Sequence, residues 1–220
     1  MDEGLRWSGH IERVRAKVGR LLGVLGRAWA TLGGQSGHGL YNALVLPHLQ
    51  YCLLVLGDFE EGRNKAYGES LLRFQKRFMG LIADAKGKYH SDPLFCKYNI
   101  LKIQDLYKQQ LRVHAWKFTK GKLPVSQVAM FNKVSDVHGH NTRSAKTGLF
   151  ISTQDHRSVG YRIPREWQSL SEEIRQMRSL EGFKKKSKEE FLSNYKNFEC
   201  VDQNCYICNK GLTTNESQRG

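Results

Sequence analysis

Near the end of the chain, Cys200, Cys205 and Cys208 form C-x4-C-x2-C, and the last two have the spacing of a metal-chelating knuckle. A tetrahedral zinc site needs four ligands, and no His or Cys follows Cys208. The sequence therefore offers an incomplete site, set against the plainer reading of free thiols on a disordered tail. A second donor-rich cluster is His138, His140, Asn141, Thr142 and Arg143, a polar set suited to a phosphate or sugar hydroxyl. The same side chains would equally satisfy backbone groups of a long loop. Other chemistry is not signalled. The chain has no G-x-S-x-G turn, no phosphate-binding P-loop, no HExxH pair and no Asp-Asp doublet.

Charge is the strongest compositional signal. Thirty-five Lys and Arg stand against 21 Asp and Glu, a formal net charge of +14, which calls for a polyanionic partner. Nucleic acid leads, ahead of an anionic membrane surface. The most apolar stretch, 43–56, holds Pro47, His48 and Gln50 and falls short of the ~20 residues that span a bilayer, so no transmembrane helix is expected. The first residues, with Asp2, Glu3 and Arg6, lack the apolar core of a secretory signal. Five cysteines without an even framework argue for a reducing compartment, nuclear or cytoplasmic, rather than secretion.

The elements that would position these groups are mostly helical. Ile11, Val14, Val18, Leu21, Leu22, Leu25 and Trp29 recur at helical spacing and predict a helix over 8–32, stopped by Gly33-Gly34. At about 100° per residue, Arg6, Arg13, Lys17, Arg20 and Arg27 share an arc roughly 120° from that core face. Gly19, Gly23 and Gly26 share a third arc, open to a close backbone approach or an ordinary tight helix crossing. A second helix over 39–57 is apolar nearly all round, with a kink expected at Pro47. A third, over 66–83, sets Leu71, Phe74 and Phe78 against Arg73, Lys76 and Arg77.

Ser91-Asp92-Pro93 starts a short helix to Tyr98. The next runs over 103–119, with His114 read as a core histidine rather than a ligand. After a short helical piece over 125–131 the pattern turns irregular. Short strands are expected over 149–152 and 158–163, then helices over 164–177 and 180–195. Lys184-Lys185-Lys186-Ser187-Lys188 reads as an import signal or phosphate patch, or as the solvated face opposite Phe183. The expected fold class is mainly α. Residues 1–131 form a helical bundle, 132–163 an irregular segment, 164–197 C-terminal helices and 198–220 a disordered Cys-containing tail.

Several short motifs occur in family order: Asp2, Leu5, Trp7, His10 and Ile11; Leu40-Tyr41; Pro47-His48-Leu49-Gln50-Tyr51; Leu72-x-x-Gln75-Lys76-Arg77; and His140-Asn141-Thr142-Arg143-Ser144. Together, over residues 1 to 195, they resemble the region after the palm in reverse transcriptases of non-LTR, jockey-like retrotransposons. Leu56-Gly57 stands where Trp-Gly is usual, and Trp167-Gln168-Ser169-Leu170-Ser171 where Trp-Asn-x-Leu-Pro is common. The resemblance implies a thumb-like bundle separated from its palm and fingers, and so no catalysis on its own. The parent polymerase would use Mg; this chain would need no cofactor, with zinc at the Cys tail the one alternative. The expected partner is an RNA–DNA hybrid or duplex, gripped by Arg13, Lys17, Arg20, Arg27, Arg73, Lys76 and Arg77, with His140, Asn141 and Arg143 beside them. The competing expectations are a basic protein-interaction module and a non-functional retroelement remnant.

Overall fold

A computed structural model describes residues 8–32, 37–51, 53–56, 64–129, 158–196 and 204–209, together with Phe59, Phe131, Leu149 and Cys200. The chain is mainly α-helical, with no strand among the described residues. Its helices are α1 (Ser8–Leu32), α2 (Gly37–Leu40), α3 (Leu46–Gln50), α4 (Leu53–Leu56), α5 (Lys65–Ile82) and α6 (Asp92–Lys97). They continue as α7 (Ile103–Thr119), α8 (Val125–Val128), α9 (Val159–Ser169), α10 (Glu172–Arg175), α11 (Leu180–Lys196) and α12 (Tyr206–Asn209). Two compact units result, the first from 1–52, 58–104 and 190–220, the second from 53–57 and 105–189.

In the first unit α1 packs on α5 and α3. Val14, Val18 and Leu25 are buried on α1, at the core positions its periodicity marks. Gly19 stands beside Phe74 of α5, where an added Cβ would lie 3.6 Å from the ring; at Gly23 and Gly26 it would meet nothing within 4 Å. The glycine arc thus includes one point of an ordinary helix crossing.

The segment expected as one helix over 39–57 is broken. Tyr41–Val45 forms a π-helical turn between α2 and α3, and Tyr51 leaves the helix with φ −64 and ψ 126. Pro47 lacks an N–H for the carbonyl four residues back, and the wide turn just before it absorbs the mismatch. Nor is the segment buried all round: Tyr41, Val45 and Leu49 form a buried stripe, while Leu44 is 38% exposed and Tyr51 63%.

Gln75 organises this unit. It is 1% exposed on the core face of α5, and its amide donates to Tyr41 Oη (2.7 Å) and to the Leu101 carbonyl (3.0 Å). Its Oε1 accepts from the Ile103 N–H (2.8 Å), the first residue of α7. Lys102 precedes that helix and offers no side-chain acceptor, so α5 supplies the cap from a distance.

The second unit is built on α7, whose Leu106, Tyr107, Leu111, Ala115, Trp116 and Phe118 are buried. Trp116 and Trp167 each lie 6.1 Å, centroid to centroid, from Phe183, and Trp116 Nε1 donates to the Met177 carbonyl (3.0 Å). Arg112, 5% exposed, pairs with Glu166 (3.1 Å) and donates to Ser187 Oγ (3.3 Å).

The strand expected over 158–163 is helix. Ser158 caps α9, its side chain accepting from the Tyr161 N–H, and Pro164 lies inside α9 rather than opening it. Val159, Tyr161 and Ile163 alternate in sequence as a strand would, but the cap and the burial of Ile163, Pro164 and Trp167 on one side set a helical period. Residues 170–171 then separate α9 from α10 where one helix was expected over 164–177.

Candidate metal centre and basic helix faces

The C-terminal cysteines do not form a loose tail where the structure describes them. Cys205 is 1% exposed and Ile207 fully buried, and both lie within the first unit. Two hydrogen bonds hold the segment to the loop between α5 and α6: Tyr206 N–H to the Lys88 carbonyl (3.1 Å) and His90 N–H to Cys205 Sγ (3.3 Å). Of the tail expected over 198–220, the structure describes Cys200 and residues 204–209, where Ile207 and Cys205 supply a buried apolar side chain and a buried sulfur.

The residue that stands with the three sulfurs is His90. One ligand atom from each of His90, Cys200, Cys205 and Cys208 lies within 4.8 Å of every other. Their placement has a traceable cause. Gly80 leaves room on α5 for the Tyr89 ring, which a Cβ there would strike, and Tyr89 Oη donates to the Lys76 carbonyl (3.0 Å). That anchors Tyr89, and with it His90 next in the chain. From the other side, Cys205 stands just ahead of α12, so the N–H groups of Ile207 and Cys208 turn back onto its sulfur.

The electrostatics follow. Burial pushes the Cys205 thiol up, but hydrogen bonds from the backbones of Cys208, His90 and Ile207 and from the Cys208 side chain outweigh it, placing Cys205 at about 7. Burial, hydrogen bonds with Cys200 and Cys205 and the charge of both push Cys208 up to about 12. Cys200 and Cys205 thus oppose the ionisation of Cys208, a conflict that a divalent cation between them would relieve. Elsewhere, His114 lies against Phe131 with ring centroids 5.7 Å apart; burial and then the Lys117 charge lower its pKa.

Beside His90 a cleft of about 450 Å³ is lined by Lys76, Tyr89, Ser91, Asp92 and Lys102. Lys102 is committed there, 2.8 Å from Asp92 and over the Tyr195 ring at 4.4 Å. Ser91 precedes α6 as expected, yet its side chain makes no cap; its Oγ lies 3.4 Å from Asp92 Oδ1.

Arg13, Lys17, Arg20 and Arg27 are exposed along α1, and Arg73, Lys76 and Arg77 along α5. None of them takes part in an ion pair among the described residues. Arg13 Nε donates back along the exposed helix surface to the Gly9 carbonyl (3.1 Å). His140, Asn141 and Arg143 lie outside the described residues. Lys184, Lys185 and Lys186 are exposed opposite buried Phe183 and Ser187, the arrangement of a solvated helix face. Comparison with family models, curated proteins and solved structures returns no match.

His90 was not visible from the sequence because it stands 110 residues before Cys200 and in no motif with it. The only pointer was the shortfall itself, three sulfurs at chelating spacing in a chain with eight histidines.

Proposed function

We propose that this chain grips the phosphodiester backbone of an RNA–DNA hybrid or duplex, in the manner implied by its resemblance to the region after the palm in jockey-like reverse transcriptases. Its role is positioning of template and primer rather than bond making. The observation that supports this best is the row of exposed basic side chains on α1 and α5 without ion-pair partners among the described residues. A structural or merely solubilising surface more often intersperses acids with bases, so that its charges neutralise one another. Here the cations are left available for phosphates, and α1 carries a single acid, Glu12.

Backbone contacts of this kind displace condensed counterions. The logarithm of the binding constant then falls with the logarithm of salt with a slope of about −0.9 per phosphate neutralised on duplex, with little sequence preference. The test is binding of residues 1–220 to a labelled RNA–DNA hybrid across a salt series, beside an Arg13/Lys17/Arg20/Arg27 alanine variant. The expected result is a steep slope that the variant flattens by about 0.9 for each phosphate it no longer neutralises. Equal binding by both proteins, or a response independent of salt, would transfer the charge to the rival role of an interaction module.

A further inference from the structure

We propose that His90, Cys200, Cys205 and Cys208 bind one zinc ion in a closed tetrahedral site that fastens the segment around α12 to the loop between α5 and α6. The proposal stands apart from the nucleic-acid grip and rests on different residues.

The geometry fits the ion. With Zn–S near 2.3 Å and Zn–N near 2.0 Å, tetrahedral ligands stand about 3.8 Å apart for two sulfurs and about 3.5 Å for sulfur and nitrogen. The four ligand atoms here all lie within 4.8 Å of one another, so closure onto an ion needs neighbours to approach by no more than about 1 Å for two sulfurs and about 1.3 Å for sulfur and nitrogen. Three thiolates and one imidazole suit zinc and exclude the hard cations Mg and Ca, which take oxygen ligands. Binding takes all three sulfurs as thiolates and the imidazole neutral, and releases to solvent whichever thiol protons remain.

The surroundings are those of a structural site. N–H groups of His90, Ile207 and Cys208 converge on Cys205 Sγ, an arrangement that orients a metal-bound thiolate. All four coordination positions belong to the protein, leaving none for water or substrate, so the ion would have no hydrolytic role. What it would do is join parts of the first unit that are 115 residues apart at His90 and Cys205. A disulfide is the chemical competitor. It would consume two of the three sulfurs, and leave His90 and the third without a common partner.

The test is titration of Co2+ into the reduced, metal-free chain of residues 1–220, read by thiolate-to-cobalt charge transfer and the d–d bands of tetrahedral cobalt, with zinc competing it out. Saturation at one ion per chain is expected. His90→Ala should weaken binding by more than the roughly 10–100-fold that loss of a merely supporting group costs. Because that variant could fail to fold, His90→Cys is measured beside it. It should bind one Co2+ with charge transfer raised by about a third, as four thiolates replace three. Absence of tetrahedral cobalt in the wild-type chain, or a His90→Ala spectrum and affinity equal to wild type, would overturn the proposal. So would a His90→Cys spectrum of unchanged intensity.

Discussion

Replacing Gln75 by Met is the sharpest probe of the first unit. The thioether matches the length of Gln75 but removes three hydrogen bonds, to Tyr41 Oη, the Leu101 carbonyl and the Ile103 N–H. Leu101 is 4% exposed and Ile103 fully buried, so water cannot replace the missing partners. Stranded buried groups cost about 1–3 kcal/mol each; near the lower end of that range the three together cost about 4 kcal/mol, and the added apolar burial returns roughly 1 kcal/mol, giving a net loss of about 3 kcal/mol. With a urea m-value near 2 kcal/mol/M, the midpoint should move down by about 1.5 M. Amide exchange at Ile103 should accelerate by a comparable free energy, since that N–H loses its cap. A midpoint shift below about 0.3 M with unaltered Ile103 exchange would refute the reasoning. Gln75→Glu sharpens the point. Its carboxylate can still accept from Ile103 but faces the Leu101 carbonyl with no proton to give. Burial would raise that carboxyl above its unfolded value near 4.3, so the variant should be most stable in acid and lose stability as pH rises through the folded value.

Arg112→Met should destabilise the second unit by about 2 kcal/mol, below the ~3–5 kcal/mol of a fully buried pair because Glu166 is partly solvated; adding Glu166→Leu should recover most of it in thermal unfolding. Gly80→Ala should cost about 1–3 kcal/mol, because the new methyl meets the Tyr89 ring, and should also weaken Co2+ binding by displacing His90 next to it. Wild-type Co2+ affinity in that variant would show that Tyr89 does not place His90. The lowered pKa of His114 means that the folded state resists its protonation. Its stabilising contribution is therefore present above about pH 6.5 and declines as the pH falls towards the lower folded value; His114→Gln should flatten that part of a stability–pH profile.

Long periodic helices were legible. The expected bounds 8–32 and 103–119 coincide with α1 and α7, where the apolar residues recur at helical spacing and nothing local competes. Around Pro47 the same reasoning failed, since a proline reports that a hydrogen bond is missing but not whether the chain kinks, widens or stops. Val159, Tyr161 and Ile163 misled because alternation over so few residues fits a strand, whereas Ser158 as a cap decides for helix. Gln75 entered as part of a motif, yet its position among buried carbonyls and amides of α5 and α7 is a tertiary fact. The candidate metal site was half visible. Short-range spacing marks the three cysteines, but a ligand supplied from a distant loop leaves no local pattern.

The first unit is discontinuous, and its outermost pieces are separated by the whole of 105–189. During synthesis His90 leaves the ribosome 115 residues ahead of Cys205, which at ~5–20 residues per second is roughly 6–23 s. Throughout that interval Tyr89 and Gly80 can already be docked, but the sulfurs that complete the cluster do not yet exist. The second unit is complete in sequence first, so the N-terminal helices must persist in a provisional state while later residues finish folding. A chain interrupted before Cys200 would retain every basic residue of α1 and α5 and still lack the closing segment of the unit that carries them. Its translation products would be expected to differ in lifetime more than in charge.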